Sequence, residues 1–181
     1  SRRCTSNTAT PDRKPMRLFV GIALPDDIRA RLQRLKGGLK AARWVDEENL
    51  HLSLRFIGEV AGGMESDIDA ALQTVGGPAF PLTLSAPGAF DRRGRVHAVW
   101  AGVEKSEALS VLRDKVETAL VRTGLEPEHR KFKPHVTVAR IKGGAATEAG
   151  LYLETHAGFA AGPFAVEQFT HQFAVHAATF C

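Results

Sequence analysis

Apolar and polar positions follow two different periods along the chain, and each period predicts its own type of element. Short apolar runs bounded by turn residues predict strands at residues 17–24, 50–57, 80–85, 96–103 and 135–141, with a short extended piece at 43–45 and one or two strands between 164 and 175. Apolar residues spaced three and four apart predict helices that begin after Pro25, at Ser66 and at Ser106, and a shorter helix over 148–157. The first helix is expected to extend to Leu39. We expect a connection at 87–94, which contains Pro and Gly, and a flexible loop at 143–146.

The order of these elements repeats in the two halves of the chain. Each half reads as an apolar strand, an amphipathic helix, a loop and a second strand, with Phe19 standing 32 residues before His51 and Val99 standing 36 residues before His135. Alternating strands and helices are also compatible with a parallel sheet, but no glycine-rich phosphate loop follows the first strand. We therefore predict an α+β fold in which two pseudo-symmetric lobes with antiparallel-rich sheets flank a central cleft.

Length and composition narrow the class of protein. A chain of 181 residues can bury the core of one domain, which we place at residues 16–181. Residues 1–15 are polar and lack the apolar segment of a signal peptide, so we expect a disordered tail or a cloning remnant, with the natural start near Met16. No apolar run approaches the ~20 residues of a membrane helix, and Cys4 and Cys181 form neither a metal-ligand spacing nor a disulfide framework. These features predict a cytoplasmic protein with no membrane partner. The net charge of +4 is compatible with a polyanionic partner but identifies none.

One chemical pattern occurs twice. HLSL at 51–54 and HVTV at 135–138 each combine a histidine, an apolar residue, a hydroxyl residue and a second apolar residue. Either tetrapeptide alone arises often by chance, and a strand histidine is most often a rim or core residue; their recurrence on two predicted strands is the stronger signal. Because strand side chains alternate between faces, the histidine and hydroxyl of each copy share one face, roughly 7 Å apart. Two copies facing one cleft would form a site for a phosphate.

Two histidines and two hydroxyls suit the hydrolysis of a phosphodiester without a metal. The reaction needs a base to activate water and an acid to protonate the leaving oxygen, and a pKa near 6.5 allows histidine to do either. Ser53 and Thr137 could donate hydrogen bonds to the phosphoryl oxygens. The remaining histidines fall into no recognisable metal-ligand spacing, so we expect no metal and no cofactor; they are His97, His129, His156, His171 and His176.

The paired motifs resemble those of the 2H phosphoesterase superfamily. Their flanking sequences resemble its RNA 2′,3′-cyclic phosphodiesterase (2′-5′ RNA ligase-like) branch over roughly residues 16–142, at Arg17–Ile22, Arg43–Val45, Asn49–Gly58 and Phe132–Arg140. The C-terminal FTHQFAVHAATFC departs from the glycine- and tyrosine-bearing ending that is usual in this branch. The resemblance implies a bilobal α+β fold, with His51 as the acid and His135 as the base. It also implies a 2′-phosphate product.

Several other residues are candidates for contact with substrate. The resemblance suggests a phosphate-side role for Arg140, although strict strand alternation would point it away from His135; Arg55 has the alternation that places it beside Ser53. A solvated surface position is the alternative for both arginines. Three aromatic residues could stack on a base or pack in the core, and Lys133 could line the cleft or keep an edge soluble; the aromatic residues are Phe19, Trp44 and Phe56.

The function predicted from these features is metal-independent hydrolysis of RNA 2′,3′-cyclic phosphate ends to 2′-phosphates. Substrates could be RNA, tRNA fragments among them, or small cyclic nucleotides including an ADP-ribose cyclic phosphate. The alternative from another class is a non-catalytic RNA-binding module on the same fold. We expect the protein to be a monomer.

Overall fold

The computed structural model describes residues 17–60, 63–144 and 146–167, and in these ranges it forms two separate antiparallel sheets. The smaller sheet pairs β1 (Arg17–Ala23) with β3 (His51–Glu59). The larger has the order β2-β6-β5-β4-β7, where these strands are Ala42–Trp44, His135–Gly144, Arg95–Val103, Phe80–Arg92 and Ala161–Val166. All described strand pairs are antiparallel, which confirms the α+β prediction and excludes the parallel alternative for these strands.

Four α-helices in the described part of the chain cover the sheets, and two of them pack on the sheet of the opposite lobe. They are α1 (Asp26–Gln33), α2 (Met64–Gln73), α3 (Glu107–Arg122) and α4 (Ala146–Thr155). Helix α3 packs on α2 and on β3, whereas α1 packs on β7 and α4 packs on β4 and β5. The helix that follows β1 therefore covers the larger sheet, and the helix that follows β5 covers the smaller one. This exchange ties the lobes together.

Helix α3 illustrates how the local sequence sets an element. The hydroxyl of Ser106 accepts a hydrogen bond from the backbone N–H of Leu109, which satisfies one of the unpaired donors at the helix start. The buried face consists of residues at helical spacing: Leu109, Leu112, Val116, Ala119 and Leu120. Burying one such leucine stabilises the fold by about 2 kcal/mol. None of the described helices is both long and apolar enough to cross a bilayer.

Several boundaries differ from the predictions. Helix α2 begins at Met64 rather than Ser66, and α4 spans Ala146–Thr155 rather than 148–157. Helix α1 ends at Gln33 rather than Leu39, because residues 34–36 bond to residues three positions earlier, as in a tightened last turn. Gly37 and Gly38 then adopt positive φ angles of 115° and 76°, and Leu39 remains buried after the helix has ended. The predicted loop at 143–146 is wrong, since β6 runs to Gly144 and α4 begins at Ala146. The predicted 164–175 strand region begins earlier, at Ala161, and its residues beyond 167 lie outside the described ranges, as do residues 1–16.

The predicted connection at 87–94 is also wrong, because β4 continues through it to Arg92. Pro87 lies at a register shift between β4 and β5, a position where a strand tolerates proline. Gly88 lies under the indole of Trp100, and a Cβ added there would be 2.2 Å from Cη2 of that ring. The turn itself contains only Arg93 and Gly94.

Candidate active site

Each motif histidine is the first residue of a strand, His51 of β3 and His135 of β6. These two strands belong to different sheets but lie against each other. The histidine and hydroxyl positions of both motifs are partly exposed, whereas the intervening apolar residues are buried; those are Leu52, Leu54, Val136 and Val138. The motif residues therefore alternate between core and solvent faces as period-2 strands do.

The two imidazoles are held in the same way. Nδ1 of His51 lies 2.7 Å from the carbonyl oxygen of Asn49, and Nδ1 of His135 lies 2.6 Å from that of Lys133. A carbonyl oxygen can only accept, so each Nδ1 carries the hydrogen and donates it. This tautomer makes Nε2 the nitrogen that accepts a proton when the ring is neutral and donates one when the ring is charged.

The His51 ring is supported by β1. The ring of Phe19 stacks on it with centroids 4.4 Å apart. Gly21 pairs with Ser53 in the neighbouring strand, and a Cβ at Gly21 would lie 3.0 Å from the carbonyl oxygen of Leu52 and 3.4 Å from Cδ2 of His51. The glycine lets β1 approach closely, and the stacked phenyl ring restrains the imidazole.

His135 lies in an aromatic and basic setting. Phe90 meets its ring edge-on at 4.9 Å between centroids, and Trp100 lies 5.9 Å away. The ammonium of Lys133 stands over Trp100, 4.4 Å from the ring centroid. Burial lowers the pKa of His135 below its ordinary value of 6.5, and the Lys133 charge lowers it further, whereas the bond to the Lys133 carbonyl opposes both. This setting favours the neutral imidazole.

A β-bulge follows each motif at the same offset. In the smaller sheet Ser53 pairs with Gly21 but Arg55 pairs with Val20, so β3 contains one extra residue. In the larger sheet Thr137 pairs with Trp100 while Ala139 pairs with Val99, and β6 contains one extra residue. A bulge of this kind interrupts the alternation of side chains between faces. The pseudo-symmetry of the lobes thus extends to this irregularity.

The bulge in β6 changes the orientation expected for Arg140. Val138 and Ala139 are both buried, and the next residue, Arg140, is exposed and so returns to the face of His135 and Thr137. Its pairing partner on β2 is Arg43, which is also exposed. Strict alternation would have placed Arg140 on the opposite face; the extra residue removes that obstacle.

The bulge in β3 turns Arg55 away from the face of His51 and Ser53 and towards α3. Its Nε lies 2.8 Å from a carboxylate oxygen of Glu117 on α3, Nη1 lies 3.4 Å from Glu128, and Nη2 donates to the carbonyl of Glu126 at 2.6 Å. Only 11% of the Arg55 side chain is exposed. Although Arg55 borders the cleft, its charge is matched by two carboxylates, which gives it a bracing role between α3 and the segment that leads to His135.

A cleft of about 480 Å³ lies where the two sheets meet, within the usual size range of small-molecule sites. Residues from both lobes line it, among them Ser53 and Phe56 from β3, and Phe90 and His135 from the larger sheet. Its basic lining comes from Arg113, Arg130, Lys131 and Lys133. A second depression of about 490 Å³, between α2 and α3, contains no motif residue.

The three aromatic residues singled out from the sequence have different surroundings. Phe19 is 6% exposed beneath His51, and Trp44 lies 6.0 Å from Tyr152 of α4 between ring centroids. Phe56 is 48% exposed and faces the cleft, five residues after His51 as Arg140 is five after His135. Sequence reasoning missed Phe90 and Trp100. The glycine opposite Trp100 is the one available signal, and it requires knowing the register.

Metal ligands do not cluster in the part of the chain that the structure describes. Over residues 17–60, 63–144 and 146–167, no three His, Cys, Asp or Glu side chains stand close enough to hold an ion. His156 bonds to the carbonyl of Tyr152, and His97 lies beside Phe90. His171 and His176 lie outside the described residues.

Comparison with protein families and curated proteins gives consistent matches. The family model of the 2′-5′ RNA ligase superfamily matches residues 24–171. An RNA 2′,3′-cyclic phosphodiesterase of Aeropyrum pernix is 40% identical over 118 residues, covering 62% of this chain and 67% of the relative. The protein of the same name from Escherichia coli is 33% identical over 138 residues, covering 74% of this chain and 77% of the relative.

Solved structures agree with these matches. E. coli LigT complexed with 3′-AMP has a TM-score of 0.62 at 31% identity, over 73% of this chain and 75% of that one. A crystal structure of a phosphoesterase has the same TM-score at 33% identity, covering 70% of this chain and 74% of that one. The MHV ns2 PDE domain shares only 15% identity but covers 90% of this chain and 97% of that one at a TM-score of 0.56, which shows the fold.

Proposed function

The chain belongs to the 2′-5′ RNA ligase superfamily, and from that premise we propose that it opens the 2′,3′-cyclic phosphate at RNA ends with His51 and His135 as acid and base. It is a cyclic phosphodiesterase, as its curated relatives are named. The observation that carries the mechanism is the matched anchoring of the imidazoles. Each Nδ1 donates to the carbonyl two residues before it, which fixes the tautomer in which Nε2 is the nitrogen that accepts a proton.

The environment of His135 supports the role of base. A base must be neutral to accept a proton, and burial together with the Lys133 charge keeps the pKa of His135 below its ordinary value. Nε2 of His135 would take a proton from water as the water oxygen bonds to phosphorus. The bond from phosphorus to the 3′ oxygen breaks, and protonated His51 gives its Nε2 proton to that oxygen. The product is a 2′-phosphate beside a free 3′-hydroxyl.

The other side chains fit supporting roles. Ser53 and Thr137 would donate to the phosphoryl oxygens, where negative charge develops. Arg140, brought to their face by the bulge, would contribute positive charge. Phe56 offers an exposed ring for the terminal base or ribose. Arg55 positions the segment before His135 and touches no reacting atom.

The proposal is tested by incubating the protein with a single-stranded RNA that ends in a 2′,3′-cyclic phosphate and with a 2′,3′-cyclic mononucleotide. We expect ring opening in both, since both present the same phosphate to the imidazoles. Turnover of the mononucleotide alone would favour a small cyclic nucleotide as substrate. Binding of the RNA without any ring opening would favour a non-catalytic module.

A further inference from the structure

The hairpin between β4 and β5 ends in three arginines. Its two turn residues, Arg93 and Gly94, have φ angles of 55° and 74°, which is the arrangement of a type I′ turn. Arg92 and Arg95 flank the turn, and all three arginines are exposed. We call Arg92, Arg93 and Arg95 the arginine hairpin.

Two features of the arginine hairpin lower the stability of the folded protein when no ligand is bound. Arg93 is the one described non-glycine residue with a positive φ, at a turn position where Asn, Asp or Gly is preferred. Arg92 and Arg95 are direct pairing partners, and like charges directly opposite each other destabilise an antiparallel pair. Within the described ranges, no carboxylate stands within ion-pair distance of these three side chains. An anionic ligand would offset the repulsion between Arg92 and Arg95.

The arginine hairpin continues the cleft face of the larger sheet. The register shift between Phe90 and Asp91 places its extra residue, His97, on β5, so β4 keeps its own alternation. Arg92, two residues after Phe90 on β4, therefore shares the face of that ring and lies about 7 Å farther along the strand. Phe90 itself contacts His135 edge-on. The opposed arginines of β2 and β6, Arg43 and Arg140, lie on the same face, while Trp44 on the other face meets α4. Basic side chains therefore lie on the face of the larger sheet that contains His135, from β2 and β6 to the arginine hairpin.

We propose that the arginine hairpin binds the phosphate backbone of single-stranded RNA on the 5′ side of the cyclic end, so that the enzyme favours oligonucleotides over cyclic mononucleotides. This inference rests on the proposed function. A mononucleotide seated between the histidines has no second phosphate to place at the hairpin, whereas an RNA strand has one for every nucleotide. Basic side chains together with aromatic rings are a common means of holding a single strand without reading its sequence.

The test compares two substrates with the same terminal nucleotide, a 2′,3′-cyclic mononucleotide and a single-stranded RNA of about ten nucleotides that ends in the same cyclic phosphate. The variant combines Arg92→Ser, Arg93→Asn and Arg95→Ser, in which asparagine suits the positive φ. The matched control removes three exposed cations near α1, on the helix-covered side of the sheet: Arg34→Ser, Lys36→Ser and Lys40→Ser.

We expect the hairpin variant to raise KM for the RNA about ten-fold or more at 50 mM salt, with kcat and the mononucleotide KM unchanged. Its log–log salt slope for RNA should be shallower by about 2, because each phosphate contact on a single strand contributes about 0.7. The control should behave as wild type. An unchanged KM for RNA, or an equal rise for both substrates, would overturn the inference.

The inference and the proposed function fail separately. If wild type opens the mononucleotide ring but the variant binds RNA normally, only the inference is wrong. If wild type opens neither substrate, the contribution of the arginine hairpin to binding can still be measured as the difference in affinity between wild type and variant for an RNA of the same length that ends in a 3′-hydroxyl. Equal affinities of wild type and variant for this RNA would overturn the inference. It would also be overturned if the variant bound RNA as wild type does but no longer bound anionic vesicles, since the hairpin would then bind a lipid surface.

Discussion

Replacing Gly88 by alanine should damage the site through Trp100 without touching a motif residue. The added methyl would lie 2.2 Å from Cη2 and 2.4 Å from Cζ2 of the indole, where van der Waals contact needs at least about 3.5 Å. The rigid ring must therefore move by more than about 1 Å. The indole packs against Phe90 and lies beside His135, so its displacement changes the aromatic surroundings of His135, the proposed base.

Overpacking of this kind costs about 1–3 kcal/mol, which lowers the melting temperature of a chain of this size by roughly 2–12 °C. A shift of about 1 Å at a reacting group can cost about 10²-fold in rate, so we expect kcat on a cyclic mononucleotide to fall by up to that factor. Gly76→Ala is the matched control, since a Cβ there meets nothing within 4 Å. Adding Trp100→Leu to Gly88→Ala should recover part of the lost stability. If Gly88→Ala matches Gly76→Ala in both melting temperature and kcat, the assigned role of the Gly88–Trp100 contact is wrong.

Three further predictions concern the chemistry. The acidic limb of the plot of kcat/KM against pH reports the pKa of the base, which must be deprotonated to act. The Lys133 charge helps to hold the pKa of His135 below 6.5, so Lys133→Met should move this limb to higher pH. An unmoved limb would mean that Lys133 does not influence the base. Dialysis against a strong chelator should leave the rate unchanged, whereas loss of activity that zinc or manganese restores would contradict the two-histidine mechanism. Phosphorus NMR of the products should show a 2′-phosphate, and a dominant 3′-phosphate would mean that the sugar binds in the reverse orientation.

The sequence allows the site to be predicted up to the bulges and no farther. Alternation correctly places His51 and Ser53 on one face of β3, with Leu52 on the other. No local sequence signal predicts the extra residue after each motif, because the pairing register is set together with the neighbouring strand. For that reason alternation alone misplaces Arg140 and makes Arg55 look equivalent to Ser53.

The fold shows the same division between local and long-range information. The N-terminal cap and spacing of α3 are local, and the predicted start at Ser106 agrees with the observed start at Glu107 within one residue. The sheet that each helix covers is a tertiary choice, so the exchange of α1 and α3 between lobes has no signature in their amphipathic patterns. The extension of β4 through Pro87 and Gly88 depends on the Trp100 ring that crosses the glycine, which local turn preferences cannot reveal.

The most direct test of the account is the rate at which His51→Ala and His135→Ala open the cyclic phosphate of an RNA end. Both side chains are partly exposed at the start of a strand, so truncation removes proton transfer rather than core volume. General acid–base catalysis contributes about 10²–10⁴-fold per group, and we expect each variant to lose that much with an unchanged circular dichroism spectrum and melting temperature. A folded variant of either kind that retains near-normal turnover would contradict the two-histidine mechanism.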